Sequence, residues 1–225
     1  MAENNMITQV MIDEFSTMDT CCVSDAMDRI GISCGLKGIK PIVGGKTICG
    51  QAFTVHYIPC GVTKGTVGDF LDDVNPGEVV VIDNGGRDYC TVWGDLMSIT
   101  ATRNKVGGTI IDGVCRDIPM IKKLQYPIFT KGHYMVTGKD RVEVDAVNVP
   151  VSVSGVRINP GDLILGDDTG VVVIPQEKAR KVLEVAREIA GKEALIEKEV
   201  HNGLSLRDAR EKVHYHQLQT HKSEG

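Results

Sequence analysis

Aromatic side chains make up only 4% of this 225-residue chain, and basic residues are outnumbered, 25 Lys and Arg against 30 Asp and Glu. The formal charge of −5 and a pI near 5.7 leave no basic field for a polyphosphate, and few rings are present to stack bases. Nucleic acid is therefore not an expected ligand. No window approaches the roughly 18 consecutive apolar residues of a membrane span. The start, "MAENNMITQVMIDEF", lacks the basic and apolar regions of a secretion signal, so a cytoplasmic location is expected. Seven cysteines (Cys21, Cys22, Cys34, Cys49, Cys60, Cys90 and Cys115) form no C-x-x-C pair, which argues against a disulfide framework and a zinc knuckle.

What is present is the composition of a globular domain, 42% hydrophobic and 24% charged, read here as one domain over 1–225, with a core at about 20–195 and a helical tail at about 196–225. The first segment reads as two short helices, with Ser24 as N-cap of the second and Gly31 as its stop. "QAFTVHYI" alternates like a half-buried strand, and "GVTKGTVGDFLDDVNPGE" reads as a helix and its exit turn. "VVVI" at 79–82 reads as a central strand ending in the turn "DNGG". "DLMSITATRNK" puts Leu96, Ile99 and Thr100 on one helical stripe, closed by Gly107 and Gly108 before the strand "TIID".

A further helix, "IPMIKKLQ", and the strand "YPIFT" complete a βαβαβ pattern, which implies a parallel sheet with right-handed crossovers. Beyond it, "VNVPVSVSGVRINPGDLILGDDTGVVVIP" has the turn-rich spacing of hairpins and is expected to cover one side of the sheet. Two Pro-Gly turns, at Asn75 and Asn159, each launch an apolar strand that ends in acids, which we read as shared turn chemistry. From Gln176 a long amphipathic helix places Ala179, Val182, Leu183, Ala186, Ile189 and Ala190 on one face. The expected class is α/β, with a parallel βαβ core and a C-terminal helix.

The candidate chemistry lies in "WGDLMSITATRNKVGGTIIDGVCRD", Trp93 to Asp117. Asp95 opens a helix after one strand, and Arg116 and Asp117 follow the carboxyl end of the next, so both loops open at the sheet edge where ligands of α/β folds bind. The amides around Asp95, Leu96 and Met97 are candidates to hold a carboxylate, with the Arg116 guanidinium adding a charge-assisted hydrogen bond. Asp117 is an oxygen donor suited to a hard cation such as Mg²⁺, and Asp95 suits a contact to that cation through water. An Arg-Asp pair after a strand is equally common as a surface ion pair, and spacing alone leaves both readings open.

The blocks "VSDAMDRIG", "GQAFTV", "DNGGRDYCTVWGDLMSITATRNKVGGTIIDGVCRD" and "NVPVSVSGVRINPGDLILGDDTGVVVIP" resemble, in this order, the RraA-like proteins over about residues 20 to 195. That family includes divalent-metal class II pyruvate aldolases acting on 4-hydroxy-4-methyl-2-oxoglutarate and 4-carboxy-4-hydroxy-2-oxoadipate. Its aldolases look like D-x20-R-D, and here twenty residues separate Asp95 from Arg116, with Asp117 following. The regulators of RNase E that share the fold carry glycine at the first position.

The resemblance implies a β/β/α layered, swivelling-domain-like fold assembled as homotrimers or homohexamers. It implies Asp117 as direct Mg²⁺ or Mn²⁺ ligand, Asp95 as ligand through water, Arg116 as the contact to substrate oxygens, and the amides of Gly94, Asp95, Leu96 and Met97 as the carboxylate cradle. An acid from a neighbouring subunit is also implied, with Glu193 and Glu197 as candidates. The expected activity is cleavage of a 4-hydroxy-2-oxo acid to pyruvate, with oxaloacetate decarboxylation as a side activity. The alternative is a non-catalytic regulator that binds an RNA-processing enzyme.

Other features read more plainly. His214, His216 and His221 sit in a polar tail, and His56 and His133 read as packing or pocket-rim residues. "GVTKGTVGD" matches no phosphate-loop pattern, and Cys90 and Cys115 read as packing. Arg87, Asp88, Tyr89 and Cys90 fall where pocket walls are expected.

Overall fold

Apolar strands that cannot face water on either side set the architecture. The computed structural model describes residues 6–33, 35–63 and 65–213, so Cys34 and the histidines at 214, 216 and 221 lie outside the described residues. In chain order the elements are α1 (Gln9–Phe15), α2 (Thr20–Arg29), β1 (Lys40–Pro41), β2 (Ile48–Pro59), a 3-10 turn (Asp69–Asp73), β3 (Val79–Thr91), α3 (Asp95–Arg103), β4 (Gly108–Cys115), α4 (Ile118–Leu124) and β5 (Ile128–His133). There follow β6 (Val142–Val147), β7 (Val151–Val153), β8 (Val156–Ile158), β9 (Leu163–Gly166), β10 (Val171–Ile174), α5 (Ala179–His201) and α6 (Leu206–Lys212).

The βαβαβ core is parallel, β2 to β3 to β4 to β5, with β1 antiparallel on the outer edge of β5. Every residue of β4 is buried, as a central strand covered on both faces requires. One face carries Val80, Ile82, Ile111 and Ile128 against Phe70, Ala101 and Ile121, from the 3-10 turn, α3 and α4. The other carries Val79, Val81, Ile110 and Phe129 into a cluster with β9, β10, α2 and α5.

β2 serves both parts, since Ile48–Gln51 pair antiparallel with β9 while Ala52–His56 pair parallel with β3. Its Gly50 lies under the Pro-Gly turn before β3, where an added Cβ would sit 2.2 Å from the Gly77 carbonyl oxygen. The expected β layer is present as the β9–β10 hairpin, and α5 packs behind it together with α2. No helix among the described residues is long and apolar enough to cross a membrane.

Shared turn chemistry explains the two Pro-Gly launches. The Asn75 amide donates to Glu78 Oε2 (2.7 Å) and the Asn159 amide to Asp162 Oδ2 (2.8 Å), while Gly77 and Gly161 take φ of +86° and +84°. The acids Asp83 and Asp112, inside β3 and β4, have a structural task as well. Asp83 accepts the Ser152 amide (3.1 Å) and Asp112 the Ser154 amide (3.2 Å), pinning the β7–β8 hairpin.

Several expectations change. α2 begins at Thr20 with Asp19 as N-cap, its carboxylate accepting the Cys22 amide at 2.7 Å, so Ser24 is interior to the helix. The earlier start lets Cys22, Val23, Ala26 and Met27 all reach the core. Among its described residues, "GVTKGTVGDFLDDVNPGE" yields the 3-10 turn and no α-helix, the Gly65 amide donating to Glu143 Oε2 at 2.6 Å ahead of that turn. "DNGG" does not end β3, which bulges through Gly85 and Gly86 at positive φ and continues to Thr91. α3 ends earlier than expected, with Asn104 as its C-cap, and Gly108 already belongs to β4.

Gly50→Ala is expected to destabilise the fold by about 3 kcal/mol, since the methyl must displace backbone rather than a flexible side chain. A urea midpoint unchanged from the parent protein would contradict this packing.

Candidate functional site

Asp95, Arg116 and Asp117 come together because β3 and β4 are adjacent and parallel. Where β3 ends, the Arg116 amide donates to the Trp93 carbonyl at 3.0 Å, joining the two strand ends just before α3 and α4 begin. Gly94 then approaches so closely that an added Cβ would lie 2.6 Å from Asp117 Oδ2 and 3.2 Å from Arg116 Nε. Asp117 sits in the left-handed region (φ 60°, ψ 39°), a conformation that Asp tolerates better than most residues.

The Asp117 Oδ2 atom accepts the Asp95 amide at 3.0 Å and lies 3.3 Å from Arg116 Nε. The Leu96 amide donates to Asp95 Oδ1 at 2.8 Å. Two amides of the expected cradle therefore already hold carboxylates of the chain itself, as the partial positive charge of a helix N-terminus favours. The Arg116 and Asp117 side chains are 39% and 35% exposed, so both remain open to a ligand.

Below this surface the support is rigid. Trp93 is buried, stacks on Tyr126 (centroids 5.8 Å apart) and donates from Nε1 to Ser98 Oγ at 2.9 Å. Ser98 in turn donates to the Gly94 carbonyl at 2.8 Å, and Tyr126 pairs with Thr109 on β4. The buried residues of α3 are Ser98 and Ala101; Leu96 and Ile99 on the stripe noted above are 74% and 42% exposed. α3 thus turns its small and polar residues inward to brace the site and its apolar stripe outward.

A cleft of about 440 Å³ opens here, walled by α3 and Arg116, by Thr66 to Asp69, and by Thr137 and Lys139. A second, of about 480 Å³, lies on the other side of Arg116 and is lined by Asp117, Pro119, His133, Tyr134 and Met135. Arg116 borders both. The sequence reading missed the walls at 66–69 and 137–139, whose signal is only their glycines. Gly68 leaves room for Met97, and Gly138 lets its turn press on Thr91, an added Cβ there lying 2.4 Å from the Thr91 carbonyl oxygen.

Arg87, Asp88, Tyr89 and Cys90 line neither cleft; Arg87 instead donates to the Asn84 carbonyl at 2.7 Å, so the β3 bulge turns these residues aside. Cys90 and Cys115 are buried, and burial pushes the Cys115 thiol up to about 12, so both are packing residues. His56 pairs with Asp145 (3.0 Å) outside these clefts, and His133 is at the rim of the second. Glu193 and Glu197 line a separate groove between α2 and α5, so one chain alone does not bring them to Arg116. Burial, with Asp19 and Asp25 nearby, raises the Glu193 pKa.

A carboxyl whose folded pKa lies above its unfolded value favours the protonated form in the fold. Its ionisation removes stability as pH rises through the folded pKa. Glu193→Gln should therefore raise the urea midpoint near pH 8, with the difference vanishing below about pH 4; an equal difference at both pH values would refute the burial argument. Ser98→Ala, which leaves the Trp93 Nε1 donor unpaired, should destabilise by about 1–3 kcal/mol. The chain's single tryptophan reports that unfolding directly.

Comparison with known proteins gives the family and the fold. The profile of the RraA-like family, Aldolase/RraA, matches residues 20–173. Protein DlpA of Legionella pneumophila is 40% identical over 92% of this chain, which spans only 34% of that longer protein. A Halalkalibacterium halodurans protein named "Putative 4-hydroxy-4-methyl-2-oxoglutarate aldolase" is 36% identical, over 83% of this chain and 84% of its own length. Among solved structures, an uncharacterized protein of Pseudomonas syringae superposes with a TM-score of 0.86 at 41% identity, covering 91% of this chain and 98% of that one. Streptomyces coelicolor RraAS2, described as an unusual member of the RNase ES inhibitor RraA family, gives 0.78 at 26% identity, covering 84% and 96%. With the family profile running from α2 to β10 across the whole sheet and site, this chain belongs to the RraA-like, Aldolase/RraA family.

Proposed function

We propose that this protein is a divalent-cation-dependent lyase that cleaves a 4-hydroxy-2-oxo acid to pyruvate and a carbonyl product, and decarboxylates oxaloacetate more slowly. The observation that carries the reading is the convergence of Asp95, Arg116 and Asp117 at the N-terminus of α3, beside an open cleft. The aldolase name of the Halalkalibacterium halodurans relative supports the reaction class.

The donors present fit a hard cation. Asp117 and Asp95 offer carboxylate oxygens only, and no group of three or more His, Cys, Asp or Glu that could hold a metal occurs among the described residues. Such a sparse set suits Mg²⁺ or Mn²⁺, which take their remaining ligands from water and substrate. When bound, the cation supplies Lewis-acid stabilisation of charge on the substrate's keto oxygen.

The chain's own residues do the rest. Arg116 donates to the keto oxygen, and the α3 N-terminus attracts the neighbouring carboxylate. Asp95 draws the proton from the C4 hydroxyl; as the C4–O bond becomes a carbonyl, the C3–C4 bond breaks and its electron pair moves to C3 and the keto oxygen. Protonation at C3 completes pyruvate. In oxaloacetate the bond to CO₂ breaks and delivers the same electron pair, so no further group is required.

The exposed Leu96, Tyr134 and Met135 border the two clefts, Ile99 is exposed on the same helix as Leu96, and these residues support assembly into a homotrimer or homohexamer that covers the clefts. The rival reading, a non-catalytic partner of an RNA-processing enzyme, draws on the fold of the Streptomyces coelicolor protein and assigns no task to Asp95.

The test is pyruvate release from 4-hydroxy-4-methyl-2-oxoglutarate and oxaloacetate, coupled to lactate dehydrogenase, with Mg²⁺ or Mn²⁺ and with chelator. Release should require the cation. Asp117→Asn, which tolerates the left-handed backbone and keeps an acceptor for the Asp95 amide, should abolish cation-stimulated turnover, and Arg116→Ala should lower kcat by about 10²–10³. Undiminished activity in Asp117→Asn would sink the assignment.

A further inference from the structure

We infer that Lys139 is a specificity-determining residue that takes the second carboxylate of a dicarboxylic 2-oxo acid; this rests on the function proposed above. Among the described residues, Arg116 and Lys139 are the cationic ones lining the 440 Å³ cleft, a size ordinary for a small-molecule site. Arg116 is paired with Asp117, whereas Lys139 has no acidic partner among the described residues. Lys139 is exposed, so it is open to an incoming anion.

The backbone beneath Lys139 is fixed relative to Arg116. Gly138 is pressed against the Thr91 carbonyl, and the Thr91 amide donates to the Val136 carbonyl at 3.0 Å. The Lys139 amide donates to Thr137 Oγ1 (3.2 Å), and Arg141 donates to the Thr137 carbonyl (3.1 Å), closing the turn. Thr91 leads through Val92 to Trp93, whose carbonyl accepts the Arg116 amide. One short stretch of β3 and its extension therefore positions both cations.

Charge gives the pair its meaning. Asp69 and Asp95 line the same cleft, so a carboxylate is repelled from it except where a cation offsets them. Arg116 and the α3 N-terminus do so for the 2-oxo carboxylate. At the wall formed by 137–139, Lys139 is the cationic group available. A substrate with one carboxylate leaves Lys139 hydrated and gains nothing there; one with a second carboxylate gains a charge-assisted contact.

The readout is the ratio of kcat/KM for 4-hydroxy-4-methyl-2-oxoglutarate to that for 4-hydroxy-2-oxopentanoate, which lacks the second carboxylate. Lys139→Gln should lower this ratio about 10- to 100-fold, mainly through KM. Lys139→Arg should restore most of it, and added salt should erode it in the parent protein. A ratio unchanged in Lys139→Gln, including equal loss on both substrates, would overturn the inference. Should neither substrate turn over, the proposed activity fails separately. Calorimetric binding of 2-oxoglutarate against 2-oxobutyrate then decides the Lys139 inference: a dicarboxylate preference lost in Lys139→Gln upholds it, and equal or absent binding overturns it.

Discussion

Parallel pairing of β3 with β4 keeps one register from Val79 opposite Gly108 to Asp83 opposite Asp112, and then breaks. β3 bulges through Asn84 to Cys90 while β4 runs straight on, so that Thr91 comes to face Val114 and Trp93 meets Arg116. Everything chemical about the molecule depends on that slippage. It carries the N-terminus of α3 to the residues that follow β4, and it requires Gly94 at the contact, because any larger residue would collide with Asp117. Two aspartates that pin the β7–β8 hairpin hold the strands together where the slippage starts.

The electrostatics of the site follow from the same contact. A helix N-terminus with its first amides unpaired attracts negative charge, and here Asp117 and Asp95 supply it from within the chain. Those carboxylates are also the oxygen donors that suit a hard cation. The place that holds these carboxylates and the place proposed for a cation are one shared surface, with Arg116 bordering two clefts. Burial keeps the nearby cysteines out of this chemistry by disfavouring their thiolates.

Much of this was legible in the residues. The all-apolar run at 79–82 and the helices between strands announced a parallel core, the turn-rich spacing of 147–175 announced the hairpins, and the Pro-Gly turns announced the starts of β3 and β9. The spacing of Asp95 from Arg116 and Asp117 marked the strand ends on which the site is built. What misled was equally local. Ser24 is as good a cap as Asp19 by residue type, and only the packing of Cys22 and Val23 decides between them. Gly85 and Gly86 look like a turn, yet with positive φ they also permit a bulge that continues the strand.

By itself, then, the order of residues determined the alternation of strand and helix, the sheet edge at which Asp95, Arg116 and Asp117 emerge, and the glycines that permit close approach, because these depend on local periodicity and backbone freedom. Only the tertiary structure decided which face α3 turns inward, how far the β3 bulge displaces Arg87 to Cys90 from the pocket, and that Lys139 shares a cleft with Arg116. Those outcomes depend on contacts between segments far apart in sequence, Gly68 on Met97 and Gly138 on Thr91 among them, whose register no local pattern encodes.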